Sequence, residues 1–245
     1  MSTLAIFAPR RLGRLIAGDA MNIARDPMLA FATLMSMVPS IAFWFTRNPM
    51  DAAAEAAFGI AHISRYIIPL ALLVPAFLIG WVTGFLLLED RDEGTLLAVD
   101  VTPVGKSGFL AYRVAITALL TFAITLFAWP LIIPEQPGPM AALIALLVAA
   151  SAVAAAVALP AIARNKVEGL ALTKLTNLVS VVPLAAAIPS PLRFVSGIVP
   201  TYWVGELLGL SDVSVPPLWI SVLLALTTHM AAIAVLVRLF SRKAG

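Results

Sequence analysis

Six stretches of this chain carry no Asp, Glu, Lys or Arg, and each is about as long as a bilayer is thick. They cover residues 27–46, 66–88, 114–134, 136–163, 175–192 and 213–237, which is 20, 23, 21, 28, 18 and 25 residues. A helix rises about 1.5 Å per residue, so roughly 20 apolar residues cross the hydrocarbon core. A soluble domain of 245 residues has no interior that could hold six such blocks; lipid must solvate them. The chain is 61% hydrophobic and 12% charged, against about 45–50% and about 25% in soluble domains.

Helices rather than strands are expected. Residues 141–150, AALIALLVAA, lack the alternation of apolar and polar residues that a membrane strand needs. Alanine, leucine and methionine favour helix. The fold class is therefore an all-α polytopic membrane protein. Its six transmembrane helices are expected at about 27–46, 66–88, 113–134, 139–163, 170–189 and 216–238. Pro183, Pro189 and Pro191 interrupt the fifth. Residues 1–245 form one transmembrane domain, with no soluble domain.

Charge sets the orientation. Of the 16 Lys and Arg, 13 fall before the first block or after the second, fourth and sixth; only Arg47, Arg65 and Arg193 fall on the other side. Cytoplasmic segments of membrane proteins carry the excess of cations. Both termini are thus expected in the cytoplasm and the chain in the cytoplasmic (inner) membrane. The pI near 9.6 is then a matter of topology, with no nucleic acid to bind. Residues 1–26 are read as an interfacial elbow. Arg11, Arg14, Gly18, Asn22 and Arg25 share one helical stripe, and Leu12, Leu15, Ile16 and Ile23 another, as an amphipathic helix on a membrane surface requires. Asp19 interrupts the apolar arc. At the outer side, residues 190–217 are neither a clean span nor a polar loop. Tyr202 and Trp203 suit a membrane interface, and short re-entrant or interfacial helices are expected there.

The second block ends in Glu89-Asp90-Arg91-Asp92-Glu93, followed by Gly94-Thr95-Leu96-Leu97-Ala98-Val99-Asp100-Val101-Thr102-Pro103-Val104. A charge at a helix centre costs about 2.5–3.5 kcal/mol, so this run must lie in water. A short amphipathic helix against the membrane is either a solvated connection or a docking surface for a soluble partner.

The run 89–104, EDRDEGTLLAVDVTPV, resembles the loop between the second and third helices of ABC type-2 permeases. An acidic stretch there precedes Gly-Thr-Leu and Thr-Pro. The elbow, the six spans, Glu168-Gly169-Leu170 opening the fifth span and the outer re-entrant segment fit the same family. The chain resembles in particular the small actinobacterial drug-export permeases of the fluoroquinolone type. That resemblance implies a permease subunit of an ATP-driven exporter of hydrophobic, drug-like or lipid-like molecules. It implies that Glu89, Asp90, Asp92, Glu93, Gly94, Thr95 and Leu96 form the coupling contact to a separate P-loop ATPase, two copies of which dock below. A second permease chain, identical or homologous, completes the pathway. ATP and magnesium enter through the ATPase; this chain binds no cofactor or metal and is not an enzyme. Spans two and five of the two halves meet at the centre in the family, so Trp81, Thr83, Phe85, Thr176, Asn177 and Ser180 are candidate pathway residues. Glu168 is either a salt-bridged helix end or a gate or ATPase contact.

Other signals fail. Gly105-Lys106-Ser107 resembles the end of a phosphate-binding loop, but the position that needs the first glycine is Asp100. Ser196-Gly197 has Phe194 where an intramembrane serine protease has glycine. With no cysteine there is no disulfide, thiolate metal site or cysteine nucleophile. Two readings of other classes compete. An intramembrane enzyme would use His229 with Glu168 or Asp212, which the topology places on different levels. A secondary transporter driven by an ion gradient would carry central acidic residues, and no block has one. His229 is expected to be a neutral, hydrogen-bonded bundle residue, and His62 ordinary outer surface.

Overall fold

The computed structural model describes residues 27–101, 105–134, 138–211, 213 and 216–243, with single positions 13, 17, 18, 20, 21, 24 and 25. The expected elbow lies largely outside the described residues, as do Asp212 and the 102–104 and 135–137 turns. In chain order the helices are α1 (Pro27–Met35), α2 (Val38–Phe58), α3 (Ser64–Asp92), α4 (Thr95–Asp100), α5 (Gly105–Ile132), α6 (Gly138–Ile162) and α7 (Lys166–Val181). Then come 3₁₀ turns over Val182–Ala187 and Pro191–Ile198, α8 (Tyr202–Leu207) and α9 (Leu218–Lys243).

Five of these segments are long and apolar enough to cross a membrane: Ser64–Asp92, Gly105–Ile132, Gly138–Ile162, Lys166–Ala187 and Leu218–Arg242. The stretch 27–46 expected as the first span is not one helix. It breaks at Ser36 and Met37, whose N–H groups bond the carbonyls of Thr33 and Leu34 at 3.3 Å each. Pro39 is the cause, because its ring clashes with the carbonyl four residues back and it has no N–H to donate. The helix that resumes runs on to Phe58 through Arg47, Asp51 and Glu55, where a loop is expected. It ends at Gly59, whose φ of 67° is left-handed. The expected 170–189 span also differs. Its α-helix starts at Lys166 and gives way to 3₁₀ geometry from Val182, with Pro183 in the first turn.

α3 and α6 are the central pair. Of the most apolar window of α3, 83% is buried, and of α6, 72%; for α9 the share is 17%. The pair is close because Gly80 and Gly84 of α3 lie against alanines of α6. A Cβ at Gly80 would sit 2.4 Å from the Ala152 carbonyl oxygen, and one at Gly84 2.7 Å from Leu159 Cδ1. Small residues four apart allow such backbone approach between membrane helices. α2, α5, α7 and α9 surround this pair, and their outward faces are apolar: Trp44 and Phe45 on α2, Phe127 on α5, Leu178 on α7 and Met230 on α9 are all exposed. With five such helices and this exterior, the chain is a multi-pass membrane protein.

Candidate functional site

The acidic run after the second block stays helical to Asp92. Glu93 caps α3, its N–H bonding the Glu89 carbonyl at 2.9 Å. Gly94 then takes φ 74°, ψ 9°, a conformation that costs an L residue with a side chain roughly 1–2 kcal/mol. That left-handed step ends α3 and aims α4 away from it. A second left-handed glycine, Gly105 at φ 64°, opens α5. The Gly105-Lys106-Ser107 sequence is therefore a helix start. Val99 of α4 packs on a small apolar cluster of Leu87, Phe109, Val157, Ala161 and Phe240, which ties α4 to α3, α5, α6 and α9. Val101, closing α4, is 89% exposed.

The charges of this run divide into two sets. Glu89 accepts from Lys166 Nζ at 2.9 Å. Asp90 accepts from Arg113 at 2.8 Å, with both side chains largely buried. Arg91 donates to the carbonyls of Pro160, Ala163 and Arg164 at 2.8, 3.1 and 2.8 Å. Pro160 is in the last turn of α6 and the other two lie just beyond it, at a helix C-terminus where a cation is favoured. Glu89, Asp90 and Arg91 thus clamp the ends of α3, α5, α6 and α7 together. Asp92 and Glu93 remain exposed beside Gly94 and Thr95. The Leu96 backbone lies in α4.

Glu168 is a helix cap. Its carboxylate accepts from the Arg164 N–H at 2.8 Å, and Asn165 Oδ1 accepts from the Glu168 N–H at 2.9 Å. This is a capping-box exchange, and its bond is to backbone, where a salt bridge is one expected alternative.

The candidate pathway residues do not share one surface. Trp81 Nε1 donates to Thr176 Oγ1 at 3.0 Å, joining α3 to α7 within the chain. Thr83 faces the other way, 2.7 Å from Thr117 Oγ1 of α5. It lines an apolar cavity of about 250 Å³ with Thr33, Ile79, Tyr112 and Arg113. Phe85 packs against Gly169, where a Cβ would lie 3.1 Å from its ring. Ser180 is buried and bonds back to the Asn177 carbonyl at 2.6 Å. Asn177 points outward, as does Lys174 one turn earlier.

His229 is buried and pairs with Ser151 of α6, Nε2 to Oγ at 3.0 Å, while Nδ1 lies 2.7 Å from the Ala225 carbonyl. A carbonyl only accepts, so Nδ1 carries the proton; a neutral ring then accepts at Nε2 from the serine hydroxyl. Both ring nitrogens are satisfied within the bundle, and Glu168 is not among the partners. At the end away from α4, the segment expected to be re-entrant is two short packed pieces. Arg193 and Glu206, both fully buried, lie 3.4 Å apart, and Tyr202 donates to Glu206 at 2.9 Å. Ser196-Gly197 belongs to this packing: Trp203 Nε1 donates to the Gly197 carbonyl at 2.9 Å.

A family model described as fluoroquinolones export permease protein Rv2686c-like matches residues 19–237. Two curated relatives from Mycobacterium tuberculosis are both 27% identical over 218 residues, covering 84% of this chain and 84% of each relative. They are the fluoroquinolones export permease protein MT2760 of strain CDC 1551 / Oshkosh and Rv2686c of strain ATCC 25618 / H37Rv. No solved structure matches the chain.

Proposed function

The chain belongs to the Rv2686c-like fluoroquinolones export permease family, and from that premise we propose that it is the permease subunit of an ATP-driven ABC exporter of hydrophobic, drug-like molecules. One observation carries the coupling role. A six-residue helix, α4, hangs beyond the last clamp between two left-handed glycines, with Asp92, Glu93 and Val101 exposed around it. Among the described residues only Arg91 reaches one of those side chains, Asp92, and an exposed acidic and apolar patch on a short tethered helix suits the groove of a separate ATPase. Asp92, Glu93, Gly94 and Thr95 make the contact. Glu89 and Asp90 stand behind it as clamps, and the cluster under Val99 passes the displacement to α3, α5, α6 and α9.

The excess of cations at the α4 end supports a cytoplasmic position for it in an inner-membrane protein. In this reading α1 and α2 together fill the place of the first span. The outward faces of α7 and α5 meet a second permease chain. Lys174 and Asn177 on the exposed side of α7 support that arrangement, since a lysine facing lipid costs about 2.5–3.5 kcal/mol. ATP binding in the partner favours one of two dimer conformations by contacting it differently from the other, the only way a ligand shifts such an equilibrium.

The test is a mild-detergent purification of the tagged chain from its own membranes. A stoichiometric P-loop ATPase is expected in the wild-type fraction and is lost with Glu93→Arg, while insertion and permease dimerisation persist. Absence of an ATPase from both, with no cross-link captured through α4, overturns the reading.

A further inference from the structure

The orientation proposed above leaves three cations outside, and their positions are informative. Arg193 is buried against Glu206. The other two, Arg47 of α2 and Arg65 of α3, line the same cavity, of about 610 Å³. Drug-sized ligand sites fall in the range of about 300–1,000 Å³. Its lining combines the apolar Phe43, Ile68 and Leu208 with the two arginines, Asp51 and His62.

Asp51, the one acid among the described lining residues, is already engaged. Asp51 Oδ1 accepts from the Ser64 N–H and Oδ2 from the Ser64 hydroxyl, both at 2.7 Å, so it caps the start of α3. The Arg65 guanidinium donates to the Gly209 carbonyl, which fixes it at the rim. Arg47 is half-buried and makes no hydrogen bond or ion pair among the described residues. Among the described residues this leaves the Arg47 guanidinium open beside the apolar lining. His62 adds a second mark: its φ of 59° makes it a left-handed residue other than glycine, and such strain gathers at ligand sites.

We propose that this cavity binds the single oxyanion, carboxylate or phosphate, of an amphiphile whose apolar body lies on Phe43, Ile68 and Leu208. Arg47 is the recognising residue, and Arg65 lines the same cavity. Guanidinium geometry suits either oxyanion through paired N–H donors. The outer placement rests on the permease reading; the anion site itself does not. A transported solute and a lipid headgroup both carry this chemistry.

The experiment uses the purified full chain in nanodiscs. Norfloxacin, a fluorescent aromatic carboxylate, is titrated alongside its decarboxylated analogue, and phosphatidylglycerol retention is read by native mass spectrometry. Arg47→Gln is expected to weaken norfloxacin binding by about tenfold, the loss of one charge-assisted bond, with the analogue unaffected and Arg47→Lys partly restoring it. If the source is lipid, Arg47→Gln instead loses retained phosphatidylglycerol and the norfloxacin titration is unchanged. Equal binding of norfloxacin and equal retention of lipid by wild type and Arg47→Gln overturn the proposal. The absence of cysteine allows a separate check of sidedness. Asn48→Cys, at the cavity rim, is expected to react with an impermeant maleimide on intact cells. Labelling only after permeabilisation overturns the outer placement and the topology beneath it, whereas unchanged binding overturns the anion site alone.

Discussion

Gly94 is the position where a single atom separates a coupling helix from a solvated connection. Its φ of 74° is left-handed, and a Cβ built there meets nothing within 4 Å. Alanine therefore introduces no steric collision at its Cβ. The whole cost is backbone strain, roughly 1–2 kcal/mol for alanine and more for β-branched valine. Against a typical stability of about 5–15 kcal/mol the bundle survives. The strain is relieved locally instead, by rotating the junction toward right-handed geometry and re-aiming α4. Asparagine tolerates the left-handed region far better than alanine and serves as the control. Efflux of norfloxacin from energised cells, normalised to inserted protein, is expected to fall in the order Gly94, Asn, Ala, Val, with valine abolishing it. Co-purification of the ATPase should fall in the same order, while the melting temperature of the permease changes little. Valine with wild-type efflux would refute the coupling argument. Equal loss in Asn and Val would show that the side chain, and not the dihedral, matters.

Asp90→Leu leaves Arg113 buried without its carboxylate and is expected to destabilise the chain by about 3–5 kcal/mol, read as a large drop in melting temperature in nanodiscs; the paired Asp90→Leu, Arg113→Met variant should recover most of it. Gly80→Leu must push α3 from α6, because even a Cβ would lie 2.4 Å from the Ala152 oxygen. A loss of about 1–3 kcal/mol or more follows from overpacking, and unchanged thermal stability would contradict the packing described. His229→Ala removes a bonded pair and leaves Ser151 its second acceptor, the Leu147 carbonyl at 3.0 Å. A loss of about 1–3 kcal/mol of stability with ATP-dependent efflux retained is expected; abolished efflux in stable protein would restore the enzyme or relay reading. Efflux should collapse on ATPase depletion and persist under a protonophore while ATP is maintained, the reverse being the mark of a secondary transporter.

Hydropathy made the second, third, fourth and sixth blocks legible because charge is what lipid excludes, and the helices run through each. It was blind to Pro39, which is itself apolar and so sits unmarked in a charge-free block while breaking the helix through its missing N–H and its ring. Pro183, by contrast, was legible as an interruption of the fifth span, and the apolar run turns to 3₁₀ geometry there. Helix extension past a charge was also invisible: Arg47, Asp51 and Glu55 end the apolar stretch but not α2. At the charged end the sequence reading marked the segment but not its division of labour. Only the fold shows that Arg91 covers three carbonyls at and just beyond the end of α6 and that Glu89 and Asp90 are clamps. Asn165 and Glu168, by contrast, stand at the spacing of a capping box, a signal present in the sequence. Long-range pairs such as Ser151 with His229 leave no local trace. Nor did Arg47 and Arg65, which a topology count registers as two charges on the outer side and the structure places on one cavity.

The arrangement at the charged end also fixes what kind of motion α4 can transmit. The clamps tie α3 to α5 through Asp90 and Arg113, α3 to α6 through Arg91, and α3 to α7 through Glu89 and Lys166. Higher up, Gly80 and Gly84 hold α3 on α6 with no room for a methyl group. Sliding of α3 against α6 would have to break carbonyl contacts and open voids at once. A close-packed interior resists such shear and moves as a block. A displacement of α4 therefore tilts α3, α5, α6 and the start of α7 together. The places free to absorb it are the junctions outside the block: the left-handed Gly94 and Gly105, the break between α1 and α2, and the 3₁₀ turns after Val181. On this argument a cross-link between α3 and α6 leaves transport intact, whereas one that fixes α1 to α2 across the break stops it.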